Sequence, residues 1–187
     1  MNGELILVIG GARSGKSAFA EQLAASRAST VLYVATATAS DAEMAARIAA
    51  HRARRPAAWR TLEAPLAPAR ALREQPALPP VVLLDCLGLL VANVLLAEGD
   101  AGDPAAHLAA VVDELIALVR ERALTLIVVT AEVGWGLVPM TALGRRFRDL
   151  LGDLNQRLAR EASQVYLVVA GLALELQQLA RPWDRPS

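Results

Sequence analysis

The sequence predicts an α/β fold, a mostly parallel central sheet with helices on both of its faces. Three observations carry that expectation. Short apolar runs recur along the chain and are continuous rather than alternating, as in strands buried on both faces. Segments of helix-forming composition stand between them. A glycine-rich turn joins the first apolar run directly to the first helical segment.

The elements follow in order. ELILVIG, 4–10, reads as a buried strand ending in glycines, and residues 16–28 as a helix. TVLYVAT, 30–36, is a second strand. Residues 40–55 form a helix that Ser40 and Glu43 open as a capping box and Pro56 ends. WRTLEA, 59–64, reads as a short strand, and the Ala- and Pro-rich stretch 64–80 as a short helix with loose connections. VVLLD, 81–85, is a buried strand leading into a helix over 86–97, a loop over 98–104 and a helix over 105–122. TLIVVT, 125–130, is the next strand. The loop AEVGWGLVP separates it from a long amphipathic helix, 141–162. VYLVVAG, 165–171, is the last strand, and a frayed tail is expected over 181–187. No repeat or linker interrupts the pattern, so residues 1–187 are expected to form one domain.

Composition narrows the function. The chain is 55% hydrophobic with a formal net charge of zero, so any anion site must be a local cluster. That balance argues against general nucleic-acid binding. Cys86 is the lone cysteine and can form no internal disulfide; it reads as core filler. The N-terminal residues lack the pattern of a secretory signal. The longest apolar stretch, 81–97, carries Asp85 and Asn93 and reads as a strand running into a helix, with no membrane span. A cytoplasmic protein is expected.

Residues 10–17, GGARSGKS, fit G-x-x-x-x-G-K-[ST] between a strand and a helix. This is a P-loop, and the fold is expected to be P-loop NTPase-like. Gly10, Gly11, Ala12, Arg13, Ser14 and Gly15 would wrap backbone N–H groups around phosphates, aided by the helix N-terminus. Lys16 would reach the β- and γ-phosphates, and Ser17 would ligate Mg²⁺. Lys16 is the only lysine among 19 basic residues, and a planar guanidinium would fit such a tight loop poorly. Asp85, at a strand end, is either a partner in the Mg²⁺ shell or the N-cap of the following helix; the P-loop favours the metal role.

Of the two histidines, His107 reads as a surface residue. His51 lies on a helix with Arg47 and Arg55 at four-residue spacing, and with Arg52 and Arg54 beside it. Two readings are open: a solvated arginine face with a bystander histidine, or a neutral imidazole that attacks phosphorus while arginines stabilise the charge. Periodicity alone does not decide between them.

Taken together, GGARSGKS, YVAT, DAEMAARIAAHRARRP, LLDC, the EVG-to-VP loop and RRFRDLLGDLNQRLA resemble one family over residues 5 to about 172. That family is the bifunctional adenosylcobinamide kinase / adenosylcobinamide-phosphate guanylyltransferases of cobalamin biosynthesis. The resemblance implies phosphorylation of adenosylcobinamide by ATP or GTP. It then implies transfer of GMP from GTP to the phosphate product through a GMP-histidine intermediate, with Mg²⁺. By motif match His51 is that histidine, with Lys16 the other catalytic residue. Thr36, Ala37 and Thr38 line the nucleotide site. Arg52, Ala53, Arg54 and Arg55 grip the guanylyl phosphate, and Glu63 accepts from guanine N1–H and the 2-amino group. Ser17 and Asp85 hold the metal, and Glu132 positions the hydroxyl nucleophile or a metal-bound water. A homotrimer is implied too. Ala131 departs from the asparagine expected before EVG, and Asp85 stands where glutamate is frequent. A plain P-loop kinase with an incidental His51, and a nucleotide-gated regulatory ATPase, remain as alternatives, but neither explains the motif on the His51 helix.

Overall fold

The computed structural model describes residues 3–38, 42–99 and 101–180, without the side chains of Glu43 and Arg47. The capping box drawn from Ser40 and Glu43, and the tail 181–187, lie outside the described residues.

The strands are β1 (Glu4–Gly10), β2 (Val31–Ala35), β3 (Arg60–Glu63), β4 (Val81–Asp85), β5 (Thr125–Ala131), β6 (Gln164–Val169) and β7 (Leu172–Glu175). They form one sheet in the order β3-β2-β4-β5-β1-β6-β7. Every pairing is parallel except β6 with β7. The helices are α1 (Lys16–Arg27), α2 (Ala42–Ala53), α3 (Pro68–Arg73), α4 (Leu87–Glu98), α5 (Pro104–Arg122), α6 (Ala142–Glu161) and the one-turn α7 (Leu176–Leu179).

Side chains alternate across each strand, so the sheet feeds two cores. Leu5, Leu7, Val82, Leu84, Leu126 and Val128 pack with α3, α4, α5 and α6 on one face. Ile6, Val8, Val31, Tyr33, Leu83 and Ile127 pack with Ala20 and Ala24 of α1 and with Trp59 on the other. Both faces are covered, as the continuous apolar runs require. Two caps start helices by satisfying orphan N–H groups: Asp103 accepts from Ala106 N at 3.1 Å, and Thr141 from Gly144 N at 3.1 Å. The N-cap of α4 is Cys86, so Asp85 does not serve as the cap.

The structure adds β7 and α7, which the sequence left unassigned, and shortens the Ala/Pro-rich helix to Pro68–Arg73. α2 differs from the other long helices: none of its described residues is fully buried. No described helix is long and apolar enough to cross a membrane.

Gly10 ends β1 where the chain must pass close to a neighbour. A Cβ there would press into the Val168 carbonyl oxygen and lie 2.7 Å from Ser14 Oγ. Gly10→Ala is therefore expected to lower unfolding stability by roughly 1–3 kcal/mol in urea titrations, the usual range for overpacking.

Candidate active site

The glycine-rich loop closes on the lysine side chain. Lys16 Nζ donates to Gly11 O at 3.0 Å, Ser14 N to Gly11 O at 3.3 Å, and Lys16 N to Ser14 Oγ at 3.4 Å. Gly15 caps α1 with φ 96°, a left-handed conformation that glycine adopts without strain. Two segments distant in sequence brace the loop: Glu132 N donates to Gly10 O at 3.2 Å, and Gly171 N to Ser14 O at 2.9 Å. The loop therefore sits at the N-terminus of α1, whose aligned peptides favour an anion there.

Beside it opens a cavity of about 460 Å³. Lys16 and Ser17 of α1 and Asp85 and Cys86 at the end of β4 line its polar end. Tyr33, Ala35, Ala37 and Thr38 come from β2 and the residues after it, and Arg55, Thr61, Glu63 and Pro65 from β3 and its flanks. Met44, Ile48, His51 and Arg52 of α2, with Leu89 of α4, complete the wall. Met44, Ile48 and His51 fall on one helical stripe, so the inward face of α2 is the cavity wall itself.

Asp85 is held from several sides. Its Oδ2 accepts from Tyr33 O–H at 2.9 Å, and its carbonyl from Thr36 N at 3.4 Å. The Asp85–Cys86 peptide is cis. The Thr36 hydroxyl donates to Cys86 O at 2.7 Å and accepts from Cys86 N at 2.8 Å. Asn93 Nδ2 bonds the carbonyls of Thr36 and Pro65 at 2.8 and 3.0 Å, tying the ends of β2 and β3 to α4. Burial pushes the Cys86 thiol up to about 11, which makes it inert as a nucleophile near neutrality.

His51 is half-buried. Its Nδ1 lies 4.0 Å from Asp85 Oδ2 and 3.4 Å from Arg54 Nη2. Burial pulls its pKa below that of an ordinary histidine; Asp85 and Glu21 oppose this, and Arg54 and Arg55 reinforce it. The imidazole is therefore neutral at pH 7. The Arg55 guanidinium stacks 3.3 Å from the Tyr33 ring centroid, and its Nη1 donates to Thr61 Oγ1 at 3.0 Å. Its Nε is buried, with no hydrogen-bond partner among the described residues. Arg52 and Glu63 pair at 3.8 Å, both well exposed.

The model of the cobinamide kinase / cobinamide phosphate guanyltransferase family matches residues 6–176. The chain belongs to that family. Two bifunctional adenosylcobalamin biosynthesis proteins are similar along nearly their whole length. CobP of Pseudomonas aeruginosa is 46% identical over 171 residues, 91% of this chain and 96% of the relative. CobU of Salmonella typhimurium is 44% identical over 181 residues, 92% of this chain and 99% of the relative. In fold, the RadB recombinase matches with TM-score 0.53 at 17% identity, covering 89% of this chain and 74% of that one. A KaiC-like protein of Pyrococcus horikoshii matches with TM-score 0.50 at 13% identity, covering 89% and 71%. These likenesses bear out the P-loop NTPase fold.

Within this cobinamide kinase / guanyltransferase chain, the structure gathers Lys16, Ser17, Ala37, Thr38, His51, Arg52, Arg55, Glu63 and Asp85 at one cavity. Gly10 to Gly15 form the turn around Lys16 and are not part of the cavity wall. Four more expected residues stay outside it. Thr36 is fully buried, with its hydroxyl committed to the Cys86 backbone. Ala53 is exposed. Arg54 turns to Glu21 at 3.5 Å. The Glu132 carboxylate accepts from Gly134 N at 2.7 Å and so braces its own loop. Sequence reasoning did not single out Tyr33, Glu21 or Asn93, nor the apolar wall residues. Only Tyr33 carried a signal, a polar-tipped aromatic ring inside an otherwise aliphatic strand.

Thr36→Val keeps the shape and removes the hydroxyl. The Cys86 N–H then loses its partner. Unfolding stability is expected to fall by about 1–3 kcal/mol, read by urea denaturation.

Proposed function

We propose that this chain phosphorylates adenosylcobinamide with ATP or GTP, then transfers GMP from GTP to adenosylcobinamide phosphate. The products of the second step are adenosylcobinamide-GDP and pyrophosphate. One observation carries the reading: Lys16, in a braced phosphate loop, and His51, a neutral imidazole among arginines, line the same cavity.

In the kinase step the cobinamide hydroxyl attacks the γ-phosphorus, an O–P bond forms, the bond to the β-phosphate oxygen breaks to release the nucleoside diphosphate, and the hydroxyl proton passes to solvent. The loop N–H groups and Lys16 stabilise the charge that gathers on the phosphate oxygens. In the guanylyl step the imidazole attacks the α-phosphorus, an N–P bond forms, and the P–O bond to pyrophosphate breaks. An oxygen of adenosylcobinamide phosphate then attacks the same phosphorus and releases His51 with its lone pair restored. Arg55 Nε, a buried donor with no partner among the described residues, suits a phosphate oxygen, and Arg52 adds charge at the cavity edge. Glu63, with a side chain 75% exposed at the end of β3, offers a carboxylate to the guanine edge.

Mg²⁺ belongs to this reading. Among the described residues no group of three or more His, Cys, Asp or Glu could hold a metal. A hydroxyl and a carboxylate at the cavity's polar end, Ser17 and Asp85, match an ion that keeps waters and shares phosphate oxygens. When bound, Mg²⁺ supplies charge that neutralises the phosphates. A homotrimer in the cytoplasm completes the proposal. Its oligomer is supported by large exposed apolar side chains, Trp135, Leu137, Val138 and Met140 in one loop and Leu172 and Leu174 on β7.

Incubation with α-labelled GTP is expected to give an acid-labile, base-stable protein adduct, and His51→Ala to abolish it. An adduct that survives the substitution rules out His51 as the acceptor; no adduct on the unaltered protein leaves the plain kinase. Lys16→Ala is expected to remove both activities.

The pH profile gives a second check. Only the neutral imidazole attacks, and its pKa lies below the ordinary 6.5. Single-turnover guanylylation should therefore be level through neutral pH and fall only on acidification below about 6.5.

A further inference from the structure

α2 has no fully buried described residue, and its inward stripe faces a cavity. Among the described residues, fully buried apolar anchors therefore do not fix where it lies. Polar ties at its C-terminal end do so instead, and one of them reaches the helix that carries the phosphate loop. The Glu21 carboxylate of α1 meets Arg54 Nε at 3.5 Å, and Arg54 Nη2 faces His51 Nδ1 at 3.4 Å. One guanidinium thus bridges Glu21 and the imidazole. The arrangement is costly: Glu21 has a side chain only 12% exposed, and its Oε1 is buried without a partner among the described residues. A surface ion pair would not need such burial. Glu21 lies on the same short helix as Lys16 and Ser17, so the bridge registers His51 against the phosphate-binding residues.

We infer that Glu21 is a positioning residue for His51: through Arg54 it holds the imidazole in place relative to the Lys16 end of the cavity. Arg54 acts between the two and does not grip the nucleotide. The inference rests on the reading that His51 accepts the guanylyl group. Arg54 donates toward Nδ1, which therefore holds the lone pair of the neutral ring and is the nitrogen that attacks; the contact orients the ring beforehand and is given up as the N–P bond forms. The charged groups facing that ring are Asp85 from β4, Glu21 from α1, and Arg54 and Arg55 from the turn just past α2.

The test uses Glu21→Gln, Arg54→Met and the double variant in the full chain. Glu21→Gln is expected to slow single-turnover labelling of His51 from α-labelled GTP by about tenfold to a hundredfold, the range for a misplaced reacting group. Its kinase kcat and KM stay within twofold, which also reports an intact fold. Arg54→Met slows labelling to a similar extent, and the double variant is no slower than the worse single one. Equal loss of kinase and labelling activity, or losses that multiply in the double variant, overturns the inference. A second readout does not depend on the covalent step. The chain has two histidines, so the His51 and His107 ring signals are separable by NMR. Glu21→Gln should move the His51 signals clearly more in the parent chain than in the Arg54→Met background, where only the direct charge effect of Glu21 remains, and leave His107 unchanged in both. If the parent chain forms no adduct, the guanylyl reading fails. The Glu21–Arg54–His51 bridge then stands or falls on the NMR comparison.

Discussion

Parallel pairing at the C-terminal edge of the sheet is the constraint from which the cavity follows. Ala35 lies opposite Asp85, Asp85 opposite Val129, and Gly10 opposite Ala131. The chain leaves β1, β2, β4 and β5 at one edge, so the phosphate loop, Ala37 and Thr38, and Asp85 are delivered together. A crevice outside the carboxyl ends of the strands is where open α/β sheets place their ligands. The same convergence strands polar groups that the ladders no longer pair. The Thr36 hydroxyl and the Asn93 amide serve the ends of β2, β3 and β4. At the end of β5, Asn155 of α6 accepts from the Thr130 hydroxyl at 2.7 Å and donates to Ala131 O at 3.1 Å. That amide holds the strand end from which Glu132 reaches Gly10, beside the alanine that replaces the expected asparagine.

α2 obeys a different rule from the rest of the molecule. α5 and α6 are placed by buried leucines and valines, each worth about 1.5–3 kcal/mol of burial. None of the described α2 residues is such an anchor, so interactions that are minor elsewhere weigh more in its position. The exposed Arg52–Glu63 pair contributes little in high dielectric. The stack of Arg55 on Tyr33 and the reach of Arg54 to the buried Glu21 are partly desolvated and therefore stronger. These contacts also shape the chemistry of the ring. Burial and two cations keep His51 neutral against the pull of two carboxylates, the protonation state an attacking imidazole needs.

What the sequence made legible follows from the range of each interaction. The central strands are buried on both faces, and their unbroken apolar runs announce it. β7 is an antiparallel edge strand with exposed Leu172 and Leu174, and nothing in LALE separates it from a helix start. The phosphate loop is local, set by spacing within eight residues, and could be read outright. The direction of a long side chain is not local. Arg54, for which the family resemblance implied a grip on phosphate, sits three residues past His51, and its guanidinium is drawn to an acid on another helix, a partner that spacing does not name. Thr36 stands at the end of a strand like a ligand-binding hydroxyl, yet the Cys86 backbone takes both its donor and its acceptor. Residue type and spacing named the chemistry of these positions but not their partners.

The lone lysine and the buried glutamate belong to one argument. Lys16 Nζ lies within bonding distance of Gly11 O, inside a turn whose own N–H groups crowd the same space. A compact ammonium fits there, whereas a planar fork would need the turn to open. Arg54 has the opposite task. It faces a carboxylate with Nε and an imidazole with Nη2, and a guanidinium holds those two donors at a fixed spacing in one plane. Lysine at the phosphates and arginine at the bridge are thus not interchangeable. Both act from α1 or upon it. Under the proposed reactions, one twelve-residue helix sets the distance between the phosphate end of the cavity and the nucleophile. Two attacks at different phosphorus atoms can then share one loop, because its position and that of the histidine are referred to the same rigid element.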